Sequence, residues 1–332
     1  MKKKTLVLIV SLLLMFVLVG TLFADGQKET KDAPAAAKKE KSDKYTFGVA
    51  VGWIDNDFGL RVRDGFINTI ERLGNAEYIE ASALSNVQRQ VSHIENFIDM
   101  GVDAIFISPY DTAAIQPLIV KAAEEGIPTF CVDTTTYDPM PTLAVTSDNF
   151  DIGRSSMFFL AEKMGGKGNL VVFSAPQHEG IRSRVLGVYS ALKLFPDIKV
   201  VATHAISWAV GDPTPLDAMQ NILRAHGPGT IDAVWAPYDT AAAQISNATV
   251  QAGRDKEIII TGVDGDSNGL EYVNRGSNFI STAAQAPYWM AKTAVEMAYE
   301  YLAGNQIPRY ITAPYIMATQ EDNLHGNYDI DW

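Results

Sequence analysis

From residue 45 onward, short apolar runs alternate with longer stretches in which apolar and polar positions are mixed. The runs at 47–51, 104–107, 129–132, 170–173, 233–236 and 258–263 are four to six residues long and rich in Val, Ile, Phe and Ala. They are too short for helices, and their apolar positions are continuous rather than alternating. Parallel strands covered on both faces have that pattern. The stretches 60–73, 87–100, 114–125, 182–194, 216–225 and 241–252 have helix length and helical spacing of apolar residues. Gly101, Gly126-Ile127-Pro128 and Gly253 supply stop signals after three of them. Strand–helix alternation of this kind predicts an α/β protein with doubly wound parallel sheets, whose ligand sites lie beyond the carboxyl ends of the strands.

An internal repeat sharpens that picture. Asp103-Ala104-Ile105-Phe106-Ile107-Ser108-Pro109-Tyr110-Asp111-Thr112-Ala113-Ala114 recurs, one residue shorter, as Asp232-Ala233-Val234-Trp235-Ala236-Pro237-Tyr238-Asp239-Thr240-Ala241-Ala242. Each copy is followed by a helical stretch and then by a strand ending in Val-Asp, at Val132-Asp133 and Val263-Asp264. The offset of roughly 130 residues is one ordinary domain length. Two similar α/β lobes follow, with matching polar loops on the two walls of a shared cleft, a preferred place for a ligand.

The amino terminus belongs to neither lobe. Three lysines at 2–4 precede an apolar run at 6–19 interrupted by Ser11, and Ala24 stands before Asp25. That is the layout of a secretory signal occupying residues 1–24, with a retained membrane anchor as the alternative. Residues 25–44 are dominated by Lys, Glu, Asp and Ala and read as a solvated tether. Cys131 is the sole cysteine, so no intramolecular disulfide and no lipid-bearing cysteine near the signal is expected. The expected location is the periplasm. Formal charge is −12 over 332 residues, and residues 1–24 carry lysines but no acid, so the remainder is more acidic still. Such a surface repels phosphate backbones, which argues against nucleic acid as a partner.

Catalytic signatures do not assemble. Gly165-Gly166-Lys167-Gly168 precedes a strand, the wrong order for a phosphate cradle, and no Gly-x-Ser-x-Gly elbow occurs. The five histidines lack metal-ligand spacing. No enzyme activity, cofactor or metal is expected. The strand ends instead carry groups suited to hydroxyls: carboxylates and amides as acceptors, Arg as a fork donor, aromatic rings as flat walls. The loop Trp53-Ile54-Asp55-Asn56-Asp57-Phe58 supplies most of these. Asp133 and Asp264 end buried strands, where an unpartnered carboxylate is costly, so ligand contact is expected there. Arg184 lies in the first turn of a helix and either binds ligand or pairs with one of those acids. Trp208 follows 200–206 in a loop and offers a stacking surface. Asp111 and Asp239 read as N-caps, and Phe106 and Trp235 as core.

These motifs, in this order, resemble the ribose/galactose-type periplasmic sugar-binding proteins of ATP-driven importers, a type I periplasmic binding fold, from about residue 45 to 318. The resemblance is carried by Asp55-Asn56-Asp57-Phe58 with Arg63-Asp64-Gly65-Phe66, Ile107-Ser108-Pro109, Val132-Asp133, Arg182-Ser183-Arg184 with Gly187, Gly262-Val263-Asp264-Gly265 and Ala284-Gln285. It implies hinge segments near 147–149, 284–286 and 312–315, an N-terminal lobe of 45–147 plus 286–313, and a C-terminal lobe of 148–285 plus 314–332. It also implies ligand contacts at Asn56, Phe58, Ser108, Asp133, Arg184, Trp208, Tyr238, Asp264 and Gln285. Asp55 and Thr134 join them by position, and His178 resembles a ligand histidine of the galactose-binding branch. Ser108, Thr134 and Tyr238 depart from ribose-binding relatives by replacing amide or charged groups, which points to another monosaccharide or a polyol. The partners so implied are that ligand, a membrane permease and a chemoreceptor, for a monomeric protein. A receptor for a nucleoside or quorum signal is the alternative.

Overall fold

The computed structural model describes residues 44–138, 140–209 and 211–322, so the signal and tether expected at 1–44 lie almost wholly outside the described residues. Strands β1 (Tyr45–Val51), β2 (Ala76–Ser82), β3 (Ala104–Ser108), β4 (Thr129–Val132) and β5 (Leu143–Ser147) are joined by a late strand, β11 (Tyr310–Ala313). They form a six-stranded sheet in the order β11-β5-β4-β3-β1-β2, parallel throughout. Strands β6 (Lys167–Ser174), β7 (Asp197–Ala205), β8 (Ala233–Trp235), β9 (Ile259–Asp264), β10 (Phe279–Gln285) and β12 (Tyr315–Thr319) form the second, in the order β12-β10-β9-β8-β6-β7. Only the β10–β12 pair in that sheet is antiparallel. Within each sheet the order reverses between the first and third strands of its own series, which opens a crevice at their carboxyl ends.

Continuous apolar runs are required because both faces of each sheet are covered. In the first lobe, Phe47, Val49 and Phe106 pack under α1 (Asp57–Leu73) and α9 (Pro287–Leu302). The alternate residues Ala50, Ile105 and Ile107 pack under α2 (Val87–Met100) and α3 (Thr112–Glu124). In the second lobe, α4 (Asn149–Lys163) and α5 (Glu179–Leu192) cover the face bearing Trp235. The opposite face, bearing Val234, lies under α6 (Pro215–Ala225) and α7 (Asp239–Gln251). Phe106 and Trp235 are fully buried, and the Trp235 indole N–H donates to Ser156 Oγ at 2.9 Å. The chain passes between the sheets three times, after Ser147, after Gln285 and after Ala313.

The elements predicted from the sequence occur, most of them one to three residues longer or shifted at an end. Sequence patterning passes over the partly buried edge strands β2 and β7, the strands β5, β10, β11 and β12, and the helices α4, α9 and α8 (Ser267–Asn274). In α4 the helical stripe is blurred by Gly153 and Ser residues. A Cβ on Gly153 would overlap the Arg184 carbonyl, and one on Gly187 would overlap that of Phe150. These two glycines let α4 and α5 touch backbone to backbone, which brings Arg184 beside Asn149.

One capping expectation is corrected. Asp111 does cap α3, its Oδ1 accepting from Ala113 N at 2.9 Å and Ala114 N at 3.0 Å. Asp239 does not cap α7: Tyr238 holds the N-cap position, and Asp239 is turned into the lobe with no exposure. There its carboxylate accepts from Thr282 Oγ1 at 2.7 Å and Asp266 N at 2.9 Å. Gly262 and Gly269 leave the room that a Cβ would take from it.

Candidate functional site

A cavity of about 330 Å³ lies between the carboxyl ends of the two sheets and takes its walls from both lobes. That volume is at the small end of ligand pockets, which run from about 300 to 1,000 Å³. From the first lobe come Trp53, Asp55, Asn56 and Phe58 in the β1–α1 connection, Ser85 after β2, Tyr110 after β3 and Asp133 after β4. The second lobe adds His178, Ile181 and Arg184 at the start of α5, Trp208 after β7, Tyr238 and Thr240 at the start of α7, and Asp264 at the end of β9.

The local backbone explains why these side chains converge. Asn56 caps α1 by accepting from Gly59 N at 2.9 Å, which points the first turn of the helix at the cleft and leaves the Asn56 amide N–H groups uncommitted. Asp133 and Asp264 occupy equivalent strand ends in opposite lobes, both at positive φ (69° and 122°). Such backbone is costly for a residue with a Cβ and occurs where surrounding structure holds it in place for a site.

Two charged arrangements dominate. Arg184, buried to 3 % exposure, donates from Nε to Asn149 Oδ1 at 2.7 Å and from Nη1 to the Pro237 carbonyl at 2.8 Å. Nη1 also reaches Asp264 Oδ1 at 3.4 Å, and none of these bonds uses Nη2. Gln285 Nε2 donates to the same Asp264 oxygen at 2.9 Å. Burial still pushes the Asp264 carboxyl well above the usual carboxylate range; Arg184 opposes the shift, while Asp266 and Asp133 add to it. Across the cleft, His178 Nε2 lies 3.2 Å from Asp133 Oδ2, and His178 Nδ1 accepts from Ile181 N at 3.4 Å. An acceptor at Nδ1 leaves the proton on Nε2, which donates to Asp133. At the rim, Asp55 is exposed and accepts from Ser85 Oγ at 3.2 Å.

Aromatic rings form the remaining wall. Tyr110 and Trp208, from opposite lobes, approach to 5.0 Å between centroids, and the Trp208 indole N–H lies 3.4 Å from the Tyr238 hydroxyl. Trp53 contacts both Tyr110 and His178 edgewise or tilted, at 6.1 and 5.9 Å. Burial raises both tyrosine hydroxyls to about 12, so each remains a neutral donor–acceptor.

Of the residues expected from the sequence, Asp55, Asn56, Phe58, Asp133, His178, Arg184, Trp208, Tyr238 and Asp264 line the cavity. Ser108, Thr134 and Gln285 do not reach its wall. Ser108 is fully buried at the end of β3, its carbonyl accepting from Gly52 N and Gln90 Nε2. Thr134 instead bridges to the other lobe, its hydroxyl accepting from Gly180 N at 3.3 Å and donating to Glu179 at 3.4 Å. Gln285 stands one bond behind Asp264. Tyr110, Thr240, Ser85 and Ile181 went unselected in the sequence. Tyr110 was within reach, since it matches Tyr238 in the internal repeat. Ser85 was not: consecutive positive φ values at Leu84 and Ser85 turn its hydroxyl toward Asp55, and no glycine announces them.

Two parallel-sheet lobes crossed three times by the chain, with polar and aromatic groups facing a shared cleft, define a two-lobed small-molecule binding protein. Comparison with known proteins makes this specific: residues 47–306 match the periplasmic binding protein domain family, and the chain belongs to it. It is 31% identical over 245 residues to a xylitol-binding protein of Mycolicibacterium smegmatis, covering 74% of this chain and 68% of that protein. It is 28% identical to a ribose import binding protein of Bacillus subtilis, covering 88% and 91% of the two chains. Among solved structures, an ABC sugar transporter subunit from Rhodobacter sphaeroides superposes with a TM-score of 0.78 at 30% identity, covering 84% of this chain and 100% of that one.

Proposed function

We propose that this protein captures one neutral, polyhydroxylated molecule, a monosaccharide or polyol, by closing its lobes around it, and hands it to the permease of an ATP-driven importer outside the cytoplasm. The observation that carries the reading is the cavity itself. Asp55, Asp133 and Asp264 offer acceptors, Arg184 and Asn56 offer donors, and Phe58, Trp53, Tyr110 and Trp208 offer apolar walls from both lobes. Hydroxyls donate and accept at once, and the C–H faces of a sugar or polyol pack on rings. Asp55 and Asp133 beside a guanidinium already facing Asp264 disfavour an anionic ligand such as a sugar phosphate. The names of the relatives, which include xylitol and ribose binders, support the same ligand class. In this reading Asp133, His178, Arg184 and Asp264 hold hydroxyls, Phe58 and Trp208 stack, and Gln285 orients Asp264. Ser108 and Thr134 support the wall from behind. Export by a cleaved signal, a monomeric state and recognition of the closed form by a chemoreceptor belong to the same proposal.

A thermal-shift screen of the purified chain against monosaccharides, polyols, nucleosides and amino acids tests it. A ligand at 100 times its Kd stabilises the native state by about 2.7 kcal/mol. A shift with a sugar or polyol, absent in R184A and D264A, is the expected result. A shift confined to nucleosides or amino acids overturns the ligand class.

A further inference from the structure

The first turn of a helix carries backbone N–H groups with no partner inside the helix. Asp266 stands at the N-cap position of α8, yet its side chain makes no bond to its own helix. The N–H of Ser267 at that helix start donates instead to Asp57 Oδ2, at 3.0 Å, on α1 of the other lobe. The exchange is returned. On α1, Asn56 serves the N–H of Gly59, and the N–H of Phe58 faces the Asp266 carboxylate.

We propose that this exchange of helix caps is a latch on the rim of the cleft, in which Asp57 and Asp266 are positioning residues that hold the lobes closed without touching the ligand. Neither lines the cavity, although their neighbours Asn56, Phe58 and Asp264 do. Asp266 is 5 % exposed and anchored to its own lobe by donating its N–H to Asp239 Oδ2 at 2.9 Å. Arg61, one turn along α1, adds a favourable charge toward Asp266. Opening the lobes parts both caps, so the latch stabilises the closed form alone. Apparent affinity scales with the fraction of protein already competent to bind, so the latch sets Kd from outside the site. Its effect on affinity rests on the proposed reading of the cleft; its effect on closure does not.

Single-molecule fluorescence energy transfer on the ligand-free protein, with one fluorophore on each lobe, tests the latch directly. Cys131 is buried and does not compete for label. The wild type is expected to show a closed population that falls about 2- to 30-fold in D57A and in D266A, the range for losing one cap. D57N and D266N keep an acceptor oxygen and retain it. D111A removes a cap of the same kind inside one lobe, and lowers Tm without changing the closed fraction. The latch is overturned if the wild type has no closed population without ligand, or if D57A and D266A shift it no more than D111A does. Titration with xylitol and D-ribose separates the two proposals. If neither binds while D57A still lowers the closed population, the latch stands and those two ligands are excluded.

Discussion

The two lobes share a strand order and a repeated loop sequence, yet they treat buried charge differently. In the first lobe the strand-end loops present rings and one buried carboxylate, Asp133, which meets its partner His178 only across the cleft. The second lobe buries Arg184, Asp239 and Asp266, with Asp264 nearly buried beside Arg184. The matching aspartates of the repeat show the divergence most clearly: Asp111 caps a helix near the surface, whereas Asp239 is enclosed by the sheet and α8. A duplicated fold thus keeps its topology while one copy becomes an apolar wall and the other an electrostatic framework. Ligand groups of the second lobe should therefore double as structural groups, and those of the first should not.

Arg184 gives the largest test of that asymmetry. Removing its guanidinium leaves the Asn149 Oδ1 and the Pro237 carbonyl without that donor, and Asp264 with Gln285 alone. Breaking a buried ion pair from one side costs about 3–5 kcal/mol. R184A is expected to lose that much in a urea titration of the ligand-free protein, besides losing ligand binding. D55A, at the exposed rim of the first lobe, should stay within about 0.5 kcal/mol of wild type. Equal losses in the two variants would erase the distinction between the lobes.

That distinction could be read from the sequence only in part. The repeat and the Val-Asp strand ends marked two lobes, and continuous apolar runs marked six strands, whereas the equally buried β5 and β10, with Thr and Ser among their residues, left no such run. Edge strand β2 left none, since its side chains are half exposed and its composition is mixed. Nine of the twelve selected residues reach the cavity, because strand order alone delivers strand ends to the crevice. Ser108 and Thr134 follow the same strand ends and miss the wall, since the alternating pleat and the turn beyond it decide which residue points inward. Asp239 was unreadable as a buried acid: its local sequence is that of a cap, and what draws it inward comes from Thr282 and Asp266, 43 and 27 residues away.

Asp239 supplies the next test, smaller than that of Arg184. Burial, with Asp264 and Asp266 nearby, pushes its carboxyl well above the usual range. D239A strands the Thr282 hydroxyl and the Asp266 N–H, at a cost of about 2–3 kcal/mol. D239N preserves an oxygen acceptor of the same shape and should cost under about 1 kcal/mol. D111A should lie between them, near about 1 kcal/mol, by loss of a cap. Chemical denaturation of the three variants gives this order. D239A falling at or below D111A would mean that the two copies of the motif carry equal weight.

The smallest effect expected is a pH dependence belonging to the second lobe. Burial and the Asp57 charge on α1 raise Asp266 to about 7, with Arg61 and the Phe58 N–H opposing the rise. Asp239 and Asp264 face the same turn from α7 and β9. Part of the burial comes from the first lobe, so an open molecule holds this proton less tightly. Because closure raises the pKa, proton uptake favours the closed form. Affinity should decline as pH rises through 7 and level off above about 8. Between pH 6 and 8 the decline is at most about tenfold, because the closed form itself gives up the proton through about 7. D266N, which cannot titrate but keeps an acceptor oxygen, should flatten that segment while leaving the low-pH affinity unchanged. D57N should shift the segment to lower pH, since the charge that helps raise Asp266 is gone. A pH profile of Kd identical in wild type and D266N would place the titrating group elsewhere in the acid cluster, and would make the charge of the second lobe internal to that lobe rather than shared across the cleft.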